Sequence, residues 1–200
     1  MTRLRRGIYI ALIFCIPLIV SGCLEIEGLS VTLDFNKNMC TAIYYGLGSN
    51  EKEEAKIEED FQGLIEDYND YRSRDKTGKL VSVDLYPEGN KLNGKLVFPF
   101  GESFLTAASL REYQLEVDEA GYFISLPDPY QDVVKGNGEI VQEGTKKKMK
   151  WPKNTKLIQY EMRKPAGFKD VKKITNLLPR WQVWVDQNQK SRPNTAIPTK

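Results

Sequence analysis

The sequence of 200 residues contains no histidine. Triad-type serine and cysteine hydrolases, HExxH metalloproteases and most catalytic zinc sites need an imidazole to move protons or bind the metal. Those classes are excluded, which leaves chemistry by carboxylates, by lysine or by metals bound through oxygen. Acidic pairs such as Asp84 with Glu88 exist, but no spacing selects one of them. We therefore predict a non-enzymatic protein without catalytic residues, cofactor or metal.

Cysteine is also scarce, with three residues in the chain. Cys15 and Cys23 belong to the N-terminal segment considered below, so Cys40 is the single cysteine in the rest of the chain. An intrachain disulfide there is excluded. Cys40 lies in NMCTAIYY, which reads as a strand, and we expect it to be buried as a small hydrophobic residue rather than exposed as a reactive thiol.

No charge of one sign dominates the composition. Lysine and arginine number 29 against 27 acids, and removing residues 1–22 takes away three arginines and no acid, which leaves 26 against 27. Nucleic-acid-binding domains normally show a basic footprint. Nucleic acid is therefore not an expected partner.

The apolar run over residues 7–20 is too short to cross a bilayer comfortably, because a transmembrane helix takes about 20 residues. It follows three arginines, contains Pro17 and ends in small residues. A basic start, a short apolar centre and a small-residue end are typical of a secretory signal peptide. We therefore predict that residues 1–22 are a signal peptide.

This segment ends in Val20-Ser21-Gly22-Cys23, which resembles the lipobox of bacterial lipoproteins. The resemblance implies that Cys23 becomes the mature amino terminus, with a thioether-linked diacylglyceryl group and an amide-linked acyl chain such as palmitate. A buried methylene contributes about 0.8 kcal/mol, and two or more chains anchor stably where one does not. The alternative is an ordinary signal or uncleaved anchor with an incidental cysteine.

Leu24 follows the cysteine, where an aspartate would resemble the inner-membrane retention signal of enteric bacteria. We therefore expect a lipid-anchored protein of the cell envelope, in the outer membrane where the source has one. The expected partners are the membrane, through the lipid anchor, and an envelope protein or lipid.

The first part of the mature chain predicts a hairpin followed by a helix. LSVTLDFNKNMCTAIYY alternates in polarity around a turn at residues 36–38, as two paired strands do. The period then changes, with Asn50 as the predicted N-cap of a helix. Its apolar stripe comprises Ile57, Phe61, Leu64, Ile65 and Tyr68. Its clustered acids are interpreted as a solvated face, and they comprise Glu53, Glu54, Glu58, Glu59 and Asp60.

The remaining chain reads mainly as short strands. Val81, Val83 and Leu85 alternate along one strand, and Pro87 and Pro99 restrict the strands that contain them to edges or ends. A short helix is expected from Ser103, followed by two strands around the turn 118–121. A hairpin with its turn at 144–145 and a strand in KLIQYEMR come next. The last expected element is a helix that contains Leu177, Leu178, Trp181 and Val185, and Pro179 is tolerated if it lies in the first turn of this helix.

Strands joined by short turns imply an α+β fold. We predict an antiparallel β-sheet of hairpins, with one long amphipathic helix and a C-terminal helix packed on one face. The predicted organisation is a lipidated anchor and short tether at 23–28, a single domain at 29–186 and a disordered polar tail at 187–200.

The order of these features resembles a group of uncharacterised bacterial lipoproteins. The shared features are the hairpin after the cysteine, the acidic helix, KWPKNTK and LLPRWQVW. The early hairpin is also similar to the LppM type of lipoprotein domain, whose fold has been compared with lipid-binding helix-grip domains. The resemblance implies a binding or scaffold role.

Two surfaces are candidate contact sites. In TKKKMKWPK, a strand would place Lys146, Lys148 and Lys150 on one face, suited to anionic head groups or acidic glycans. The alternative is an edge strand protected by lysines. Trp181 and Trp184 lie three residues apart and could contact a hydrophobic ligand or a membrane interface, or pack in the core.

Two functional hypotheses remain open. The first is a non-catalytic envelope scaffold or interaction lipoprotein with a filled core. The second is a module that holds a lipid or another hydrophobic ligand between sheet and helix, which requires an apolar cavity of a few hundred cubic ångströms. We favour the first, because nothing in the sequence demands a cavity.

Overall fold

The computed structural model describes residues 24–74, 82–100, 115–126, 135–164 and 174–190. The predicted signal peptide, Cys23, Val81, the helix expected from Ser103 and the tail after Lys190 lie outside these residues. The described elements, in chain order, are β1 (Leu24–Glu25), β2 (Gly28–Asp34), β3 (Met39–Tyr45), β4 (Gly48–Ser49), α1 (Glu54–Arg74), β5 (Ser82–Glu88), β6 (Lys91–Pro99), β7 (Leu115–Val117), β8 (Gly121–Leu126), β9 (Lys135–Gly136), β10 (Glu139–Glu143), β11 (Lys146–Pro152), β12 (Leu157–Arg163), β13 (Thr175–Asn176) and α2 (Leu178–Lys190).

The largest sheet has six antiparallel strands in the order β5-β6-β3-β2-β12-β9. The predicted turn between β2 and β3 is stabilised by Asp34, whose Oδ1 accepts hydrogen bonds from the backbone N–H groups of Asn36 and Lys37 at 3.0 and 3.1 Å. Pro87 lies in the edge strand β5 and Pro99 ends β6, as predicted. Alternate residues of the central strands are buried, namely Leu29, Val31, Leu33, Cys40, Ala42 and Tyr44.

A second antiparallel sheet has the order β10-β11-β8-β7. The turn between β7 and β8 lies where the sequence predicts it, and Asp118 Oδ1 accepts hydrogen bonds from the backbone of Ala120 and Gly121 at 2.8 and 3.0 Å. The turn between β10 and β11 contains Gly144 at φ 60°, a conformation that suits glycine. The lysine-bearing strand β11 lies between β10 and β8, so its interpretation as a protected edge strand is wrong.

One short segment connects the two sheets. β9 pairs with β12 of the six-stranded sheet, and β10, which follows β9 after two intervening residues, pairs with β11 of the other sheet. Asn137 lies at the crossing: its Oδ1 accepts hydrogen bonds from Trp151 Nε1 at 2.8 Å and from the Gln159 backbone at 2.9 Å. A Cβ on Gly138 would lie 2.5 Å from Met149 Cγ, so the close approach at this crossing requires glycine.

A third sheet is formed by two-residue strands in the order β1-β4-β13. Leu24 lies opposite Ser49, and Thr175 lies opposite Ser49 from the other side. The backbone N–H of Glu27 donates to Tyr45 O at 2.8 Å before β2 begins. The predicted tether at 23–28 is therefore wrong from Leu24 onward, because pairing with distant strands holds this segment in the domain.

Helix α1 begins at Glu54 rather than at the predicted cap Asn50. The Glu53 carbonyl accepts the first helical hydrogen bonds, from the N–H groups of Lys56 and Ile57, both at 3.0 Å. The residues predicted as its apolar stripe are buried at Ile57, Phe61, Leu64 and Ile65, while Tyr68 is partly buried.

Helix α2 has Pro179 in its first turn, as predicted, and continues to Lys190. The predicted start of the tail at residue 187 is therefore wrong. Arg180 joins the two helices, with its Nε 3.2 Å from Glu58 Oε2 and a second ion pair to Glu54.

The fold is a mixed α+β structure with antiparallel sheets, as the sequence predicts. The described strands form three sheets rather than one, because β4 pairs with β1 and β13 and β9 pairs with β12, while the hairpins β7–β8 and β10–β11 join each other in a separate sheet. Cys40 is fully buried, which agrees with its interpretation as a small hydrophobic residue. Of the described helices, neither α1 nor α2 combines the length and the apolar composition of a membrane-spanning helix.

Candidate functional site

The N-terminal end of the domain consists of β1, β4, β13 and the Gly89-Asn90 turn. Leu24 is 6% exposed and belongs to the core. Asn176 in β13 donates a side-chain hydrogen bond to the Asn90 carbonyl, which links this small sheet to the turn between β5 and β6. Leu24 is therefore held at this end of the domain by strand pairing and by packing against the core.

A buried polar pair connects this end to helix α1. Ser49 Oγ donates a 2.5 Å hydrogen bond to Asp60 Oδ2, and the Ser49 oxygen accepts one from the Glu51 backbone at 3.1 Å. Both side chains are buried. The interpretation of Asp60 as part of a solvated acidic face is wrong, since its carboxylate turns inward to β4.

Two ion pairs involve the acids in and just after β1. Lys164 Nζ lies 3.1 Å from Glu25 Oε2, and Lys91 Nζ lies 2.5 Å from Glu27 Oε1. The Glu27 carbonyl also accepts a 2.8 Å hydrogen bond from the Lys164 backbone. Glu25 and Glu27 are thus each paired with a lysine that is distant in the sequence.

The turn between β3 and β4 completes this end of the domain. Gly46 has φ 61°, a left-handed conformation that favours glycine, and its N–H donates to the buried Asn93 Oδ1 at 2.9 Å. Asn93 Nδ2 in turn donates to Glu88 Oε2 at 2.7 Å. The side chain of Asn93 therefore fixes the direction in which the chain enters β4.

The predicted lysine face is present on β11. Lys146, Lys148 and Lys150 alternate with the buried residues Met149 and Trp151, as the sequence predicts. Two of the three lysines are paired, because Lys148 Nζ lies 2.7 Å from Glu143 Oε2 and Lys150 contacts the other oxygen of the same carboxylate.

This contact shifts the pKa values of the groups that form it. Hydrogen bonds from Lys148 and Lys150 lower the pKa of Glu143 from its ordinary value of 4.5 to about 2. The same contact with Glu143 raises the pKa of Lys150. Lys148 also lies 4.5 Å from the centre of the Phe123 ring on β8, a cation–π contact. The lysine face is thus partly neutralised by its own sheet.

The tryptophan pair lies on α2 against the domain. Trp181 and Trp184 are both partly buried and pack against the core. The rings of Trp184 and Tyr68 are 6.2 Å apart in an edge-to-face arrangement, so the contact joins α2 to α1. The core-packing alternative accounts for both side chains in this structure.

The remaining sequence-based assignment, Cys23, lies outside the described residues. Among the residues described, no group of three or more cysteines, aspartates and glutamates could hold a metal ion.

Sequence reasoning missed the Ser49–Asp60 pair and the ion pairs of Glu25 and Glu27. No local pattern could reveal them, because each depends on strands or a helix that meet only in the folded chain.

Comparisons with known proteins do not assign the chain to a family. No protein-family model matches it, and no curated protein or solved structure shows a significant match.

Proposed function

We propose that this chain is a lipid-anchored protein of the bacterial cell envelope, attached to a membrane through acyl groups on Cys23. The folded part acts as a non-catalytic scaffold or interaction module, in the outer membrane where the source has one. The lipobox-like Val20-Ser21-Gly22-Cys23 supports the anchor, and the absence of histidine removes the imidazole-dependent enzyme classes.

The observation that carries the proposal is the sequence Val20-Ser21-Gly22-Cys23, which follows a basic start and a short apolar run. Leu24, the residue after this cysteine, is buried and lies opposite Ser49 in the smallest sheet. The folded domain therefore lies close in sequence to the proposed anchor.

The arrangement of the helices forms part of the same proposal. The long amphipathic helix α1 and the C-terminal helix α2 cover one face of the six-stranded sheet. Contacts of α1 with β5 and of α2 with β6 support this arrangement, as do the buried residues of the α1 stripe. In this arrangement, the surfaces that α1 and α2 do not cover are the ones open to partners.

The lysine face is a weaker part of the proposal. Lys148 and Lys150 share the carboxylate of Glu143, which reduces the charge they offer to an anionic surface. Lys146 is exposed at the start of β11 and would contribute most to such a contact.

Membrane fractionation of the full-length protein and of Cys23→Ser tests the proposed function. We expect the wild-type protein in the membrane fraction and the variant in the soluble fraction. Equal partition of the two proteins would contradict the lipid anchor.

Native mass spectrometry of the chain from Leu24 onward tests the scaffold role. The expected spectrum contains protein without a bound small molecule. A lipid that co-purifies with this part of the chain would contradict the scaffold role and favour the ligand-binding hypothesis.

A further inference from the structure

We infer that the N-terminal end of the domain lies directly against the lipid headgroup layer, so that the anchored protein has one fixed orientation. The inference rests on the proposed lipidation of Cys23. It adds to that proposal a membrane-contact surface, which consists of β1, the Gly89-Asn90 turn and the paired side chains of Glu25, Glu27, Lys91 and Lys164.

The first argument concerns the length of chain between lipid and fold. One residue spans at most about 3.6 Å, and Leu24 is bonded directly to Cys23. Leu24 is buried and paired with β4, so it cannot extend as a tether without leaving the core. The lipidated cysteine therefore holds this end of the domain within a few ångströms of the membrane surface.

The second argument concerns the anchoring of β1 itself. Ser49, the partner of Leu24, is hydrogen-bonded through its side chain to Asp60 of α1. Thr175 pairs with the other side of Ser49. A force on the lipid is thus transmitted through β4 to α1 and to β13, and these contacts resist the detachment of β1.

The third argument concerns charge. A negative membrane surface attracts lysine and arginine, and by the same field it repels carboxylates that lack a partner. Glu25 and Glu27 lie closest to the lipid in sequence, and both are ion-paired, to Lys164 and Lys91 respectively. These pairs compensate the two acids nearest the lipid in sequence, while Glu88, beside the Gly89-Asn90 turn, accepts a hydrogen bond from Asn93 Nδ2 at 2.7 Å.

The six-stranded sheet offers two labelling positions at opposite ends, at different expected distances from the membrane. Asn90 is exposed in the turn at the N-terminal end, and Lys37 is exposed in the β2–β3 turn at the opposite end of the sheet. Seven residues of β2 separate the two ends, which corresponds to about 20 Å at about 3.3 Å per residue. Cys40 is fully buried, so a cysteine introduced at either turn is the thiol open to labelling.

The experiment uses the full lipidated protein in vesicles of phosphatidylethanolamine and phosphatidylglycerol that carry a headgroup-linked fluorescence quencher. A fluorophore is attached to Asn90→Cys in one sample and to Lys37→Cys in the other, and intact mass verifies the acyl groups in each. We expect most of the fluorescence at position 90 to be lost and that at position 37 to be retained.

Equal quenching at the two positions, in protein whose mass shows acylation, would overturn the inference and leave the proposed function intact. A mass without acyl groups would overturn both. The two failures are therefore distinguishable within this pair of samples.

Charge reversal tests the role of the ion pairs. Lys91→Glu leaves Glu27 without its lysine, so we expect less quenching at position 90 in the anionic vesicles and recovery in neutral phosphatidylcholine vesicles. Lys37→Glu makes the same change in net charge at the opposite end and should have no effect. Circular dichroism verifies folding, and Lys91→Gln serves as a milder variant. Equal effects of Lys91→Glu and Lys37→Glu would contradict the inferred contact surface.

Discussion

Ser49 and Asp60 share a 2.5 Å hydrogen bond in the interior, although one lies in a two-residue strand and the other in helix α1. The bond connects the strand that pairs with Leu24 to the longest helix of the described chain. A two-residue strand forms few backbone hydrogen bonds of its own, so this contact with α1 helps to hold β4 in place.

Removal of the Ser49 hydroxyl should therefore destabilise the domain. Ser49→Ala leaves a buried carboxylate oxygen without its donor, and an unsatisfied buried group costs about 1–3 kcal/mol. Urea unfolding of the chain from Leu24 onward measures the change. Glu59→Gln is the matched control, since Glu59 is exposed on the same helix and surface changes usually fall within about 0.5 kcal/mol. Equal effects of the two variants would contradict the importance of the Ser49–Asp60 bond.

The pH dependence of the lysine face follows from Glu143. Its pKa falls from 4.5 to about 2 in the folded protein, through hydrogen bonds from Lys148 and Lys150. A lowered folded-state pKa gives stability that is present above pH 4.5 and is lost as the pH falls towards 2. Because the carboxylate is exposed, salt should screen the effect.

Carboxyl NMR titration checks this prediction. The apparent pKa of Glu143 should lie well below 4.5 at low salt and rise in the double variant Lys148→Gln/Lys150→Gln. Lys153→Gln, on the exposed segment after β11, is the control and should leave it unchanged. A Glu143 pKa near 4.5 in the wild-type protein would show that these ion pairs do not persist in solution.

The ring pair of Trp184 and Tyr68 should couple the two helices. Edge-to-face aromatic pairs contribute about 0.5–1.5 kcal/mol beyond the area they bury. A double-mutant cycle with Trp184→Leu and Tyr68→Leu should return a coupling energy in that range. Val183→Ala on the same helix is the control, because Val183 is 56% exposed. Strictly additive effects of the two leucine substitutions would indicate that the rings do not interact.

Asn137 should hold the two larger sheets together. Asn137→Ala removes the acceptor for Trp151 Nε1 and for the Gln159 backbone, and also the Nδ2 donor to the Leu157 carbonyl at 2.8 Å. We expect a loss of about 1–2 kcal/mol in the free energy of unfolding, since water can reach this exposed position and replace part of the bonding. Asn154→Ala, in an exposed turn, should be close to neutral. A neutral Asn137→Ala would contradict the role of Asn137.

Local pattern predicts much of the fold. The stripe Ile57, Phe61, Leu64 and Ile65 is buried as its helical period indicates, and the turns at Asp118 and Gly144 lie where polar residues and glycine interrupt alternating strands. These features depend on residues close together in sequence, so a single sequence suffices to identify them.

Pairing between distant segments is not predictable in this way. The two-residue strands β1, β4 and β13 are too short to show a period, and Leu24 reads as tether until Ser49 is known to lie opposite. Alternating lysines on β11 fit an edge strand and a strand paired with acids equally well. The pairing of β11 with β8 decides between them, and it joins strands that are distant in the sequence.

Intact mass spectrometry of the protein purified from its native membranes tests the lipid anchor most directly. A mature chain that begins at Cys23 and carries a diacylglyceryl group with an additional acyl chain is the predicted result. A chain that retains residues 1–22, or one that begins near Leu24 without any acyl group, would contradict the anchor and the membrane-contact surface derived from it.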